Sequence, residues 1–291
     1  MIAVGPKKKA PPAPFLLSCD CHAHVCGPES RYPYIPDRLY TPQDALPAHY
    51  RGMLDLLGVE RGVLVQPSIY GSDNRALLDA LSQDPKRLRG VAVVPLEITT
   101  KDLERLHAGG VRGVRVNIVD LKDGKGILPL DELKRLAGKI KPLGWHVEFL
   151  MHVDEFPELD RQLGNFPVEL VFGHLGYVKE KTIEEPGFRA LLRLMRGGKA
   201  WVKLTAPYRL TMSAAPYSDV APFAQALVDA APERLLWGTD WPHVFIKSAM
   251  PGDAMLFELF RRWVPDERQQ RRILIDNPAR LYSFPASQPA M

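Results

Sequence analysis

Two cysteines and two histidines lie within the eight-residue stretch SCDCHAHV, residues 18–25. Thiolate and imidazole are typical zinc ligands, so this spacing raises the question of a metal site. Side chains alternate across a strand, which places Cys19 and Cys21 on one face. By the same alternation, His22 and His24 lie on the other face. We therefore predict no zinc cluster here, and we expect the cysteines to pack as small buried apolar residues on the outer side of the strand.

Further side chains capable of chemistry occur at the ends of later apolar runs, in motifs such as VFGHLG, KLTAPYRL and LLWGTDWPHV. These candidate site residues are Ser68, Arg115, His152, His174, Arg209 and Asp240. An acid, several imidazoles and two guanidiniums would form a catalytic site if one fold placed these strand ends side by side. The histidines His49, His107 and His146 have no such placement, and we predict ordinary structural roles for them.

The elements that must position these residues are short apolar runs alternating with stretches of helical period. The eight predicted strands are residues 16–24, 62–68, 88–95, 111–117, 145–152, 168–174, 200–206 and 234–240. Near-continuous apolar strands that alternate with amphipathic helices indicate a parallel sheet. Eight such units predict an α/β fold, a closed (β/α)8 TIM barrel, whose active site lies at the carboxyl ends of the strands.

An open doubly wound sheet is the alternative architecture. That fold would require a Gly-rich turn after the first strand, and CDCHAHVCGPE contains none. Apolar stretches beyond Asp240 predict extra C-terminal helices that close a single domain. We predict a disordered tail over residues 1–14 and one barrel domain over residues 15–291, because the tail carries four prolines and no hydrophobic period.

Composition narrows the functional classes. The net charge is +4, but three lysines of the tail account for most of it, so the barrel is nearly neutral and nucleic-acid binding is not expected. No apolar run is long enough for a membrane span. Three closely spaced cysteines do not make a disulfide framework, which favours a reducing cytoplasm. A homodimer remains a candidate assembly that the sequence does not decide.

The order of the motifs resembles a known superfamily. A His-x-His first strand, a histidine after the sixth strand and GTDWPH at the eighth resemble the amidohydrolase superfamily. The stretches DCHAHVCGP, VQPSIYGSDN and RGVRVN are similar to its 2-pyrone-4,6-dicarboxylate lactonase branch, and the resemblance covers nearly the whole chain after the tail.

The resemblance implies hydrolysis of a lactone of a small carboxylated compound. It suggests that His22, His24 and His174 surround the scissile carbonyl and that Asp240 activates water. The residues that would hold the substrate are Ser68, Tyr70, Arg115 and Arg209. This assignment is chemically sound, because a tuned carboxylate can act as general base and imidazole N–H groups can stabilise an oxyanion. Guanidiniums suit a substrate carboxylate.

The chain departs from the branch at one position. The pyrone lactonases carry a further basic residue shortly after the RGVRF-type stretch, where this chain has Leu121. A second carboxylate anchor is therefore missing unless Lys122 or Lys125 replaces it. The sequence consequently predicts the reaction class more firmly than the substrate.

Metal dependence is the other open alternative. Most amidohydrolases bind one or two divalent ions, whereas the lactonase branch works without metal. We expect no required cofactor; the alternative is zinc or manganese, with His22, His24, His152, His174 and Asp240 as ligands. A metal-dependent decarboxylase or hydratase of the same superfamily is the second enzyme hypothesis. A non-enzymatic binding protein on a decayed barrel is disfavoured by the intact set of site residues.

Strand alternation also predicts charged residues inside the barrel. Glu148 and Lys203 should both face inward, where an unpaired charge is costly. We therefore predict that each is paired, and their placement on alternate strands allows them to pair with one another.

Overall fold

Eight short parallel strands pair in chain order, each with its neighbour in the sequence. The computed structural model describes residues 16–119, 128–180, 182–246 and 249–285. The strands are β1 (Cys19–Ala23), β2 (Arg61–Val65), β3 (Leu88–Ala92), β4 (Val111–Asn117), β5 (His146–Leu150), β6 (Leu170–Phe172), β7 (Ala200–Leu204) and β8 (Leu235–Trp237). They correspond one to one with the eight predicted runs, and the (β/α)8 TIM barrel is confirmed.

In the part of the chain that the structure describes, one α-helix lies between each strand and the next, and three more follow β8. The helices are α1 (Pro47–Leu57), α2 (Arg75–Gln83), α3 (Thr100–Ala108), α4 (Leu130–Ile140), α5 (Leu159–Leu163), α6 (Pro186–Arg196), α7 (Ala221–Ala230), α8 (Asp253–Trp263), α9 (Glu267–Arg271) and α10 (Asn277–Leu281). Local sequence explains the bounds of α1: the helix starts at a proline, and Gly58 caps its C-terminus with a φ of 71° that suits glycine. The predicted C-terminal helices are present as α8, α9 and α10.

The barrel closes where β1 meets the chain after β8. The His24 amide donates to the Trp241 carbonyl at 2.7 Å, and the Asp240 amide donates to the His22 carbonyl at 2.8 Å. Asp20 reinforces this junction, because its carboxylate accepts hydrogen bonds from the backbone N–H and the hydroxyl of Thr239 at 2.9 and 2.6 Å. The first and last site-bearing segments are thereby held together.

A β-bulge in β1 changes the alternation that the sequence predicts. Asp20 pairs with Gly62 and Ala23 pairs with Leu64, so β1 contains one more residue than β2 between these two pairings. An extra residue of this kind places two successive side chains on the same side of a strand. The bulge therefore brings both Cys21 and His22 to the interior of the barrel.

The predicted outward position of Cys19 and Cys21 is wrong. Both cysteines are buried with Val63, Val91 and Tyr282 in the apolar interior of the barrel, at the end remote from the site. The other side of β1 carries Asp20, which accepts a hydrogen bond from Tyr50 of α1 at 3.1 Å. The predicted small apolar character of the cysteines holds, and all three cysteines of the chain are free and buried.

Two predictions fall outside the residues that the structure describes: the tail over residues 1–14, and the position of Leu121 with its alternatives Lys122 and Lys125. Within the described ranges, every helix is too short or too polar to cross a lipid bilayer.

Candidate active site

The predicted site residues lie at the carboxyl ends of the strands or in the first turn beyond them. His22 is near the end of β1, and short 3-10 turns after β2, β6 and β7 carry Ser68, His174 and Arg209. His174 and Asp240 adopt left-handed backbone conformations, with φ of 53° and 65°. Such conformations cost free energy in a non-glycine residue and concentrate at functional sites.

Asp240 is the central acid of the site. It is fully buried, and its Oδ2 accepts two hydrogen bonds from Arg209, from Nε at 2.9 Å and from Nη2 at 2.7 Å. The Tyr208 hydroxyl donates to the same oxygen at 2.7 Å. Burial alone would raise the pKa of Asp240, but Arg209 and the neighbouring histidine His174 outweigh burial and hold that pKa well below its usual range. Asp240 is therefore an ionised base with one oxygen, Oδ1, left for chemistry.

Three imidazoles surround the free oxygen of Asp240. Nε2 of His22 and Nε2 of His24 each lie 3.5 Å from Oδ1. The ring of His174 is centred 5.0 Å from the ring of His22. Burial and the nearby Lys203 lower the pKa of His22 to about 3, so this imidazole is neutral at physiological pH. The predicted set of three histidines and one aspartate is thus brought together.

A glycine permits this close arrangement. A Cβ atom at Gly238 of the chain after β8 would lie 2.7 Å from the His22 amide nitrogen and 2.8 Å from the His22 Cβ. No other residue type would let the two strand ends approach so closely.

Beneath His22 lies a buried pair of opposite charges. Lys203 Nζ donates to Glu148 Oε2 at 2.6 Å, and neither side chain is more than 2% exposed. The predicted pairing of Glu148 with Lys203 is confirmed. Burial would raise the pKa of Glu148, but Lys203 and His22 hold it well below its usual range, so the carboxylate is ionised.

Above the histidines, a cavity of about 250 Å³ opens between the strand ends. Its lining residues are His24, Leu39, Tyr40, Ser68, Arg115, Asn117, Val119, Leu150, His174, Tyr177, Arg209, Val244 and Phe245. Its wall combines the guanidiniums of Arg115 and Arg209 and several other polar groups with apolar side chains. A small ring compound with an anionic group would match both its size and its lining.

Besides the buried His22 and Asp240, two predicted site residues do not line this cavity. Tyr70 is only 2% exposed, and its hydroxyl accepts a hydrogen bond from the Gly27 amide at 2.7 Å, which directs it away from the site. His152 donates from Nδ1 to the Tyr177 carbonyl at 2.6 Å. It is not part of the described group of side chains that come close enough to share one ion, which consists of His22, His174 and Asp240.

Several residues of the site were not predicted from the sequence. Tyr40 and Tyr177 line the cavity from loops, and Tyr208 contacts Asp240 directly. Tyr208 also lies 2.9 Å from His243 Nδ1, and His243 Nε2 lies 3.1 Å from Asp253. In the sequence, the histidine of the motif GTDWPH was the feature that could have indicated this series of hydrogen bonds.

The positions of the site side chains would suit a divalent ion, but the positive charges of their neighbours would not. The ligand atoms of His22, His174 and Asp240 all lie within 4.8 Å of one another. Two cations already occupy the surroundings of that group, since Arg209 neutralises Asp240 and the Lys203 ammonium lies 3.1 Å from His22 Nδ1. A histidine that binds metal normally donates its second ring N–H to a carboxylate or carbonyl. The nearest neighbour of His22 Nδ1 is the Lys203 ammonium at 3.1 Å, with Glu148 Oε1 at 3.2 Å; an ammonium at that nitrogen opposes metal binding, and we derive no step through a metal.

The barrel and its site define the class of protein. The chain belongs to the amidohydrolase family, whose model matches residues 19–284. The chain is 39% identical over 273 residues to a 2-pyrone-4,6-dicarboxylate hydrolase of Comamonas testosteroni, covering 90% of this chain and 89% of that protein. It is 36% identical to a 4-sulfomuconolactone hydrolase of Rhizobium radiobacter, covering 96% and 95%.

Solved structures agree with this assignment. A probable 2-pyrone-4,6-dicarboxylic acid hydrolase of Acinetobacter baumannii, crystallised with citric acid bound, superimposes with a TM-score of 0.81 at 31% identity. The superposition covers 92% of this chain and 100% of that one.

Proposed function

We propose that this protein is a hydrolase that opens the ring ester of a small carboxylated lactone, with Asp240 as the general base. The single observation that carries the proposal is the ionised, buried Asp240 with one free oxygen beneath a cavity lined by Arg115 and Arg209. The relatives support it, since two of them are named as hydrolases of anionic lactones. None of the comparisons favours the alternative of a decarboxylase or hydratase.

Substrate binding rests on the polar part of the cavity wall. Arg115 lines the cavity and donates to the Gln66 carbonyl at 3.0 Å, a hydrogen bond that orients its guanidinium. A substrate carboxylate would bind beside Arg115 and the hydroxyl of Ser68, and the ring would pack against apolar lining residues such as Leu150 and Val244. Arg209 is mostly engaged by Asp240, so Arg115 carries the larger share of anion binding in this proposal.

The reaction itself needs one water molecule. Asp240 Oδ1 takes a proton from water as the water oxygen bonds to the lactone carbonyl carbon. The carbonyl oxygen then carries negative charge, which imidazole N–H groups stabilise. The tetrahedral intermediate collapses with cleavage of the ring C–O bond, and the proton on Asp240 passes to the departing oxygen. The product is an open-chain hydroxy or enol acid.

The proposed enzyme requires no metal and binds no nucleic acid, and its one required partner is the small lactone. It places the enzyme in a reducing compartment such as the cytoplasm, on the ground that Cys19, Cys21 and Cys26 are all unpaired.

A lactone panel tests the function. Purified protein is assayed with 2-pyrone-4,6-dicarboxylate, 4-sulfomuconolactone, a monocarboxylated lactone and an uncharged lactone of similar size. We expect hydrolysis of at least one anionic lactone and much slower hydrolysis of the uncharged one. Absence of hydrolysis with every lactone, together with CO2 release from a carboxylated compound, would select the decarboxylase instead.

A further inference from the structure

The two histidines of the His-x-His motif have different neighbours at Nδ1. His24 Nδ1 lies 2.8 Å from the Val65 carbonyl oxygen, which can only accept a hydrogen bond. Nδ1 of His24 must therefore carry a proton. His22 Nδ1 instead lies 3.1 Å from Lys203 Nζ, an ammonium that can only donate.

The ammonium decides which nitrogen of His22 carries the proton. Lys203 is 0% exposed, and its described hydrogen bonds go to Glu148 and to His22. A proton on His22 Nδ1 would set two donors against each other at 3.1 Å and would leave the buried ammonium with one acceptor. A ring with a lone pair at Nδ1 is neutral and carries its one proton on Nε2.

Glu148 offers the competing arrangement. Its Oε1 lies 3.2 Å from the same His22 nitrogen and would accept a proton from it. A proton on Nδ1 would satisfy Oε1 of Glu148. However, Glu148 already accepts a short hydrogen bond from Lys203 at its other oxygen, Oε2. The Lys203 ammonium, in contrast, gains a second described acceptor only if Nδ1 is unprotonated. The balance of donors and acceptors therefore favours Lys203 over Glu148 as the partner of His22.

We propose that Lys203 is a positioning residue that holds His22 as an Nε2–H donor facing Asp240, so that Nδ1 is unprotonated in His22 and protonated in His24. Within the described chain, His22 Nε2 and Asp240 Oδ1 have no hydrogen-bond partner and lie 3.5 Å apart. The Nε2–H of His22 is therefore directed at Oδ1 of Asp240 and can also donate to a substrate atom that binds beside that oxygen. An Nε2 that carries a proton has no lone pair for a metal ion, so Lys203 also excludes His22 as a metal ligand.

This inference deepens the proposed function and rests on it only for its catalytic consequence. The tautomer itself can be measured on the free protein. Two-bond 1H–15N correlation spectra of 15N-histidine-labelled protein distinguish a protonated ring nitrogen from an unprotonated one. The His22 signals are assigned by their loss in His22→Gln. We expect a protonated Nε2 and an unprotonated Nδ1 for His22; the reverse pattern in the wild-type protein would overturn the proposal.

Variants of the buried pair test the cause. In Lys203→Met, Glu148 becomes the only charged neighbour of Nδ1, and we expect the His22 proton to move from Nε2 to Nδ1. Lys203→Arg keeps a donor and should keep the wild-type pattern, and so should Glu148→Gln. An unchanged pattern in Lys203→Met would contradict the role of the ammonium. If Lys203→Met does not fold, the double variant Glu148→Gln/Lys203→Met, which buries no net charge, is measured in its place.

Zinc binding and kinetics provide two further readouts. We expect Lys203→Met to gain zinc affinity at least tenfold, measured by competition with a chromophoric chelator, because His22 Nε2 becomes a ligand. Its kcat should fall roughly a hundredfold, the usual effect of losing one donor at a reacting centre, with little change in KM. If no lactone is hydrolysed but the spectra and zinc data are as expected, the proposed function fails and the role of Lys203 stands.

Discussion

Arg209 donates two hydrogen bonds to a single oxygen of Asp240, from Nε and Nη2 to Oδ2 at 2.9 and 2.7 Å, and leaves Oδ1 free. The guanidinium therefore belongs to the catalytic acid as much as to the substrate cavity. It keeps the buried carboxylate ionised, against the tendency of burial to raise its pKa. The pH dependence of catalysis follows from this contact.

Arg209→Gln should move the acid limb of the kcat/KM profile to higher pH. A neighbouring cation lowers a carboxyl pKa by roughly 1–3 units, so its removal should shift the limb upward by a similar amount. The variant would then lose far more activity at pH 5 than at pH 8. The matched control is Arg115→Gln, which removes a cavity guanidinium that does not contact Asp240. Equal profiles for the two variants would show that Arg209 does not tune the base.

Arg115 is expected to set the preference for anionic substrates. Losing one charge-assisted hydrogen bond costs about 1.5–3 kcal/mol. Arg115→Met should therefore lower kcat/KM by roughly ten- to a hundredfold on a carboxylated lactone. On an uncharged lactone of similar shape the change should be small. Similar losses on both lactones would assign Arg115 a structural role and remove the carboxylate site from the proposal.

Asp240→Asn separates chemistry from binding. The amide keeps the size of the side chain but cannot accept the proton of water, so hydrolysis should fall to background. The cavity remains, and calorimetric titration should still detect substrate binding. Hydrolysis at near wild-type rate would rule out Asp240 as the base.

Removal of metal tests the cofactor proposal. Protein treated with a chelator and checked for metal content should retain full activity, because the Arg209 guanidinium already compensates the charge of Asp240. Loss of activity that zinc or manganese restores would make the enzyme metal-dependent. It would also assign His22, His174 and Asp240 as ligands.

His146 makes the fold sensitive to acid. It is buried, and its ring packs edge-on against Tyr282. Burial lowers its pKa to about 4, from about 6.5 in an unfolded chain. Between these values the unfolded chain binds a proton that the folded chain does not, so the free energy of unfolding decreases as the pH falls, by about 1.4 kcal/mol per unit.

His146→Leu removes this contribution. Denaturant unfolding from pH 7 to pH 4.5 should show the variant gaining stability relative to the wild type as the pH falls. His49→Gln, at an exposed position of α1, is the control and should leave the pH dependence unchanged. A constant difference between His146→Leu and the wild type at every pH would refute the assignment.

Local pattern alone predicted the barrel and the positions of its central residues. Apolar runs of strand length report burial on both faces, and eight of them alternating with helices leave few architectures. The carboxyl ends of parallel strands share one end of a barrel, which is why His22, His174 and Asp240 could be grouped without coordinates. The inward positions of Glu148 and Lys203 followed from the same alternation, and the cost of a buried charge predicted their pairing.

The tertiary structure decided what each of these residues contacts. The bulge in β1 interrupts its alternation, so the pattern within SCDCHAHV could not predict that Cys21 and His22 share one side. Loops place Tyr40 in the cavity and turn Tyr70 out of it, because their course depends on packing between distant segments. Arg209 was predicted as a substrate ligand, and its main partner is Asp240, 31 residues away. Periodicity reports which side of an element is buried, whereas the partner of a charged group depends on three-dimensional distances that only the folded chain establishes.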